Sequence, residues 1–179
     1  MENTSAVTFN TAYQKSKREL IDENDDETVA HELAHHWFGN LVTCKDWGQV
    51  TLNESFANYA EYLWHEYKYG IDEAEAFWQR DFSPYLSQSN TKTESLVRYD
   101  YKKPEDMFDI ISYQKGGKIL HMLRTYVGDD AFFKVLKLYL TRHAYSIADY
   151  HDLKRCVEEI TGEDMKWFFD QWYLKGGHP

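Results

Sequence analysis

The chain has 179 residues, with 20 Lys and Arg against 30 Asp and Glu, so its formal net charge is −10 with histidine neutral. That length fits one domain, residues 1–179, able to bury roughly two-thirds of the surface its unfolded chain would expose, and 42% apolar with 17% aromatic residues excludes intrinsic disorder. The acidic balance argues against a nucleic-acid or anionic-membrane partner, because no basic face exists to release phosphate counterions. No apolar run approaches the length of a spanning helix, Met1-Glu2-Asn3-Thr4 lacks the regions of a signal peptide, and Cys44 and Cys156 cannot build a disulfide framework.

Nine glycines and three prolines punctuate a chain dominated by the 3.6-residue period. Ala6-Val7-Thr8-Phe9 is β-prone and the best strand candidate. The acidic run Glu19, Asp22, Glu23, Asp25, Asp26 and Glu27 reads as a solvated loop, placed where negative charge suits a helix N-terminus. Thr28-Val29-Ala30 opens that helix and Gly39 can close it. A second helix should run from about Asn53 to Tyr69, closed by Gly70, and a third starts near Asp72. Pro104-Glu105-Asp106 resembles a helix start. Four helices should follow Tyr113: one through Ile119, Leu120, Met122, Leu123 and Tyr126 to Gly128, one from Asp129 carrying Phe132, Phe133, Leu136 and Leu140, one from Asp149 to Gly162, and one holding Met165, Trp167, Phe168, Phe169 and Trp172. Such stripes are core rather than cofactor boxes, and the fold class is mainly α.

The chemistry concentrates in His31-Glu32-Leu33-Ala34-His35. Histidines at i and i+4 lie about 40° apart around a helix and about 6 Å apart along it, so both rings can converge on one ion. Neutral imidazole suits Zn²⁺, and the intervening glutamate flanks the site closely enough to handle a zinc-bound water. The bland alternative is a polar face with two surface histidines. Against it, Val29, Ala30, Leu33, Ala34, Trp37 and Phe38 make the helix apolar almost all round, hence buried, and a buried helix would not carry His-Glu-His without partners.

A catalytic zinc takes three protein ligands and leaves a position for water. A third histidine six residues after the second, as in metzincins, is excluded because position 41 is Leu. Glu54, in Leu52-Asn53-Glu54-Ser55-Phe56-Ala57, can close a His₂Glu site if Gly48 and its neighbours turn the chain back. Glu54, Asn58, Glu61 and His65 then form one polar helical stripe, whose upper part faces the metal helix, with Glu61 orienting a histidine N–H. The other histidines and both cysteines read as structural. Gly116-Gly117-Lys118 lacks the context of a P-loop and fits a flexible or closely packed helix start.

His-Glu-Leu-Ala-His, eighteen intervening residues and Glu54 resemble the gluzincin zinc aminopeptidases of the aminopeptidase N and leukotriene hydrolase type. Met1-Glu2-Asn3 matches the last three letters of that family's G-A-M-E-N motif, Tyr113-Gln114-Lys115-Gly116 its Y-x-K-G segment, and Phe168-Phe169-Asp170-Gln171-Trp172 with Gly177-His178-Pro179 the end of its catalytic domain. Thr51 stands where many members carry Trp. The resemblance implies the α-helical portion of a thermolysin-like (zincin) catalytic domain, beginning inside the exopeptidase motif, with the remaining domains belonging to a longer parent chain. It implies one Zn²⁺ on His31, His35 and Glu54, Glu32 as general base, Tyr113 as donor to the oxyanion and Glu2 as partner of the substrate's free amine. Residue type alone would leave Tyr113, one of fourteen tyrosines, structural, and Glu2 a frayed terminus. Peptides with a free N-terminus are the implied substrates. An endopeptidase or epoxide hydrolase on the same metal, or a non-catalytic zinc-stabilised helical module that binds a partner, are the alternatives.

Overall fold

Apolar residues recurring every three to four positions between Asp and Gly signals make helices with one buried side. That pattern governs the computed structural model of the chain, which describes residues 1–22 and 24–178. A short helix α1 (Glu19–Asp22) leads to α2 (Asp26–Ala34), strand β1 (Val42–Cys44) and the long helices α3 (Thr51–Tyr69) and α4 (Ile71–Gln88). Then come α5 (Gly116–Val127), α6 (Asp129–Arg142), strand β2 (Ser146–Ala148), α7 (Tyr150–Thr161) and α8 (Lys166–Trp172). The architecture is mainly α, and helix α7 shows how local sequence sets it. The Asp149 carboxylate accepts from the amides of His151 and Asp152, and the Asp152 carboxylate accepts from the Asp149 amide. The helix stops where Gly162 turns left-handed at φ +74°, a conformation that a Cβ makes costly.

Helix α3 is the centre, packed by α2, α4 and α5. Its Leu52, Phe56, Tyr59 and Tyr62 are buried with Trp78 of α4, Ile119 and Leu123 of α5 and Phe132 of α6. Each such side chain contributes about 1.5–3 kcal/mol on leaving water. Tyr59 and Tyr62 stack at 5.6 Å, and the Trp78 ring lies 5.3 Å from Tyr62. The buried Arg124 guanidinium grips both Glu66 oxygens at 2.7 and 3.1 Å and pairs with Asp129 at 2.8 Å, so its charge is not left uncompensated. After α8 the chain crosses back, its Tyr173 carbonyl accepting from the Val97 amide and Tyr85 and His178 meeting at 2.9 Å.

Several sequence expectations are corrected. Ala6–Phe9 is not a strand: the Ala6 and Thr8 amides bond to the carbonyls of Asn3 and Met1, a local turn, and a strand needs a neighbour. The strands are β1 and β2, paired in parallel with Val42 opposite Ser146 and Cys44 opposite Ala148. Helix α2 ends at Ala34, five residues before Gly39. There the amides of His36 and Trp37 reach back three residues, and those of Asn40, Leu41 and Val42 reach back five, so the chain tightens and then widens. Gly39, at φ +143°, lies inside that turn, with room beside the His35 carbonyl that a Cβ would crowd at 3.2 Å.

The acidic run is not simply solvated. Asp26 starts α2 and accepts from Trp64 at 3.3 Å, from Tyr69 at 3.0 Å and from Lys68, tying the start of α2 to the end of α3. Asp25 pairs with Lys15 at 2.9 Å. Glu23, like Pro179, lies outside the described residues. Of the predicted core stripes, Tyr126, Phe133 and Trp167 face outward, Tyr126 meeting Trp167 edge-on at 5.4 Å and donating to Glu163.

Candidate metal centre

Helix α2 is not apolar all round in its setting. Val29, Leu33 and Trp37 are exposed, while His31, Ala34 and His35 are the residues turned against α3. The sequence argument for a buried helix therefore has the wrong side covered: the histidines are the buried face. Opposite them α3 presents Glu54, Asn58 and His65, all buried, in the polar stripe expected from their spacing.

The ligand atoms converge. His31 Nε2 lies 3.2 Å from His35 Nε2, and Glu54 Oε2 lies 3.4 Å from each. Bond lengths of about 2.0–2.2 Å in a tetrahedron give ligand–ligand edges of about 3.4 Å, so the triangle has the size of three corners of a zinc site. Glu54 Oε2 is buried and has no hydrogen-bond donor among the described residues, a cost that a cation would remove. The opposite ring nitrogens are held by acceptors, His31 Nδ1 by Glu61 Oε1 at 2.7 Å and His35 Nδ1 by the Phe38 carbonyl at 3.0 Å. Each ring thus turns Nε2 toward the triangle and leaves Nδ1 to its acceptor, the arrangement in which a metal would take Nε2. These residues fit the metal, and among those described they are the group of His, Cys, Asp and Glu whose atoms come close enough to share one.

The electrostatics carry the same signature. Burial opposes a charge on His31, but the nearby Glu54 carboxylate and the hydrogen-bonded Glu61 outweigh it and lift its pKa to about 9. His35 is likewise raised by Glu54 against its burial. Burial alone would raise Glu54, yet the two histidines bring it down to about 2. Without metal, the pocket sets the Glu54 carboxylate against a protonated His31, with His35 beside both.

Glu32 projects beside this triangle from the same helix, and its Oε2 lies 2.9 Å from the Met1 amino nitrogen. That nitrogen is 3.8 Å from Glu2 Oε2. The Glu2 carbonyl is held by Asn40 Nδ2 at 2.7 Å. Tyr113 lies with its ring parallel to His31, 5.8 Å between centroids. Burial, then the charge of Glu54 and the charges of Glu2 and Glu32, hold its phenol protonated far above the usual range. All seven residues singled out from the sequence are therefore brought to one place.

Sequence reasoning missed the Phe38 carbonyl and Asn40, which act through tertiary contacts that no periodicity announces. The close packing expected at Gly116-Gly117 is present, a Cβ on Gly117 falling 2.4 Å from Asn58 Oδ1. Cys44 and Cys156 are free, with Cys156 in the core and Cys44 against it, and burial pushes the Cys44 thiol up to about 11.

The family described as the peptidase family M1 domain matches residues 1–172. The chain belongs to the peptidase M1 family. It is 37% identical over 199 aligned residues to aminopeptidase N of Lactococcus lactis subsp. lactis, a match taking in 100% of the chain and 22% of that protein. It is 35% identical over 196 residues to leucyl aminopeptidase of Saccharolobus solfataricus, covering 100% of the chain and 24% of that relative. The chain thus spans about a quarter of the length of these curated relatives. Among solved structures, the M1 zinc metallopeptidase of Deinococcus radiodurans superposes with a TM-score of 0.70 at 32% identity, over 83% of this chain and 32% of that one. Native yeast LTA4 hydrolase gives 0.75 at 27% identity, over 86% and 26%. The helical composition is that of the helical portion of such a catalytic domain, and no helix among the described residues is long and apolar enough to cross a membrane.

Proposed function

We propose that this M1 chain carries the catalytic centre of a zinc aminopeptidase that hydrolyses the N-terminal peptide bond of peptides. The observation that carries this reading is the triangle of His31 Nε2, His35 Nε2 and Glu54 Oε2, with edges of 3.2, 3.4 and 3.4 Å. One zinc ion held there would supply a Lewis acid and a water acidic enough to ionise near neutrality.

The chain's own residues supply the rest. Glu32 accepts a proton from the attacking water and passes it to the departing amine. The Tyr113 phenol, kept protonated by burial and by neighbouring carboxylates, donates to the carbonyl oxygen as it gains charge. The Glu2 carboxylate pairs with the substrate ammonium; its charge, with that of Glu32, reaches the Tyr113 phenol beside the metal ligands, which supports that role. Glu61 keeps the His31 ring in register. Peptides with a free amino terminus are the substrates, and further domains of a longer chain complete the groove.

The test is hydrolysis of a leucyl anilide, free and N-acetylated, by zinc-loaded protein with Glu32→Gln as control. Cleavage of the free anilide alone, lost in the variant, supports the aminopeptidase. Cleavage of both removes the role of Glu2 and favours an endopeptidase. Binding of peptide without cleavage favours a zinc-stabilised module.

A further inference from the structure

Tyr113 does not sit on an ordinary helix. It is in the middle of a π turn, Ile111–Lys115, whose closing amide, Lys115 N, reaches the Ile110 carbonyl at 3.0 Å. Such turns are rare and are kept where outside contacts hold them. Here the holder is α3. The residue after Glu54, Ser55, donates its hydroxyl to the Ser112 carbonyl at 2.7 Å. Thr51 Oγ1 lies 2.5 Å from Ser55 Oγ. Because the single Ser55 hydrogen goes to Ser112, Thr51 is the donor in that pair. Thr51, Ser55 and Ser112 are all buried, at 1, 2 and 0% exposure.

The backbone is seated directly on this hydroxyl. A Cβ built on Gly116 would fall 1.8 Å from Ser55 Oγ and 3.1 Å from Thr51 Oγ1. Ser55 is therefore a covalent neighbour of Glu54 and a hydrogen-bond partner of the residue before Tyr113. The donor behind it, Thr51, stands where many members of the family carry Trp.

We infer that Ser55 is a positioning residue: through the chain Thr51 to Ser55 to the Ser112 carbonyl it fixes the Tyr113 phenol relative to His31, His35 and Glu54. This rests on the role of Tyr113 proposed above. Displacing a group by about 1 Å at a reacting centre costs on the order of a hundredfold in rate. Ser55→Ala should lower kcat for the leucyl anilide by about 10- to 100-fold, with KM within about twofold and zinc content unchanged. Placed on Tyr113→Phe, it should lower kcat no further. An equal loss in both backgrounds, or a loss confined to KM, overturns the inference. If Tyr113→Phe itself retains full kcat, the phenol's proposed role fails instead.

A second readout needs no turnover. With 3-fluorotyrosine at position 113 and Co²⁺ as the metal, the paramagnetic shift of the fluorine reports its position relative to the ligand triangle. Ser55→Ala should move that resonance, and Thr51→Val, which retains the branched Cβ, should move it less in the same direction. If Ser55→Ala does not take up cobalt, the Thr51→Val resonance decides, and an unmoved resonance overturns the inference.

Discussion

Glu61 Oε1 sits 2.7 Å from His31 Nδ1, a contact bridging α2 and α3 across 30 residues of sequence. Burial pushes the Glu61 carboxyl up, and the His31 ring pulls it back toward ionisation. Contacts of this kind orient a metal-binding ring and typically account for 10- to 100-fold in metal affinity. Glu61→Gln retains an acceptor and should weaken zinc by about tenfold; Glu61→Ala should approach a hundredfold. Competition with a chromophoric chelator checks both, and an unchanged affinity in Glu61→Ala would refute the orienting role.

Metal affinity should climb with pH. His31 holds its proton to about 9 in the metal-free pocket, and zinc must displace it. Affinity should therefore rise by about tenfold or more per pH unit from 6.5 to 9 and then level off. The metal-free protein behaves oppositely: a histidine whose folded pKa is raised contributes stability in full below the unfolded value of 6.5, lost as pH rises through 9. Thermal unfolding with chelator and with fixed free zinc, at pH 6.5 and 8.5, should diverge, and parallel curves would count against the His31 assignment.

Lys115 shows the reverse sign. Its side chain is 1% exposed, its ammonium donates to the Glu94 carbonyl at 2.7 Å, and burial with the charge of Arg98 brings its pKa down to about 8. Below pH 8 both folded and unfolded chains carry the proton, and the folded one bears the full cost of a buried charge. Between about 8 and the unfolded value of 10.5 only the unfolded chain holds it, so stability rises, by roughly 3 kcal/mol in total. Lys115→Met should lose that rise. Denaturant unfolding of both proteins at pH 7 and 10 gives the difference.

Phe56 connects the core to the metal. Its ring stacks on Phe38 at 4.3 Å, and the Phe38 carbonyl holds His35 Nδ1. Phe56→Ala should cost about 3–5 kcal/mol in stability and weaken zinc as well. Phe132→Ala, a core truncation on α6 away from that stack, should cost similar stability and leave zinc affinity within about threefold. Equal metal losses in the two variants would break the connection.

Much of this was legible in the residues. The i, i+4 histidines and the glutamate on the next helix specify a converging triangle, and Glu61, seven positions after Glu54, falls two turns on along the same face. Gly70, Gly128 and Gly162 mark helix ends where the structure has them. The π turn was illegible, because widening a turn by one residue barely disturbs an apolar period. Strands β1 and β2, three residues each, are too short for alternation and arise from pairing. The exposed side of α2 misled because composition tells that a helix is apolar but not which side another element covers. Asp26 belongs with these: its three donors come from α3, some 40 residues away, and a charge run gives no hint of them.

The parallel pairing of β1 with β2 also sets an order of assembly. The segment leaving the metal-bearing helix is completed by residues roughly a hundred positions later, which close the strand pair between α6 and α7. Closing so long a loop carries an entropic cost before any contact repays it. The exit of α2 therefore gains its partner strand only after α6 and the segment Ser146–Ala148 behind it have been made. A nascent chain, or a proteolytic piece ending before Ser146, would carry every ligand of the triangle and lack the strand that anchors their frame.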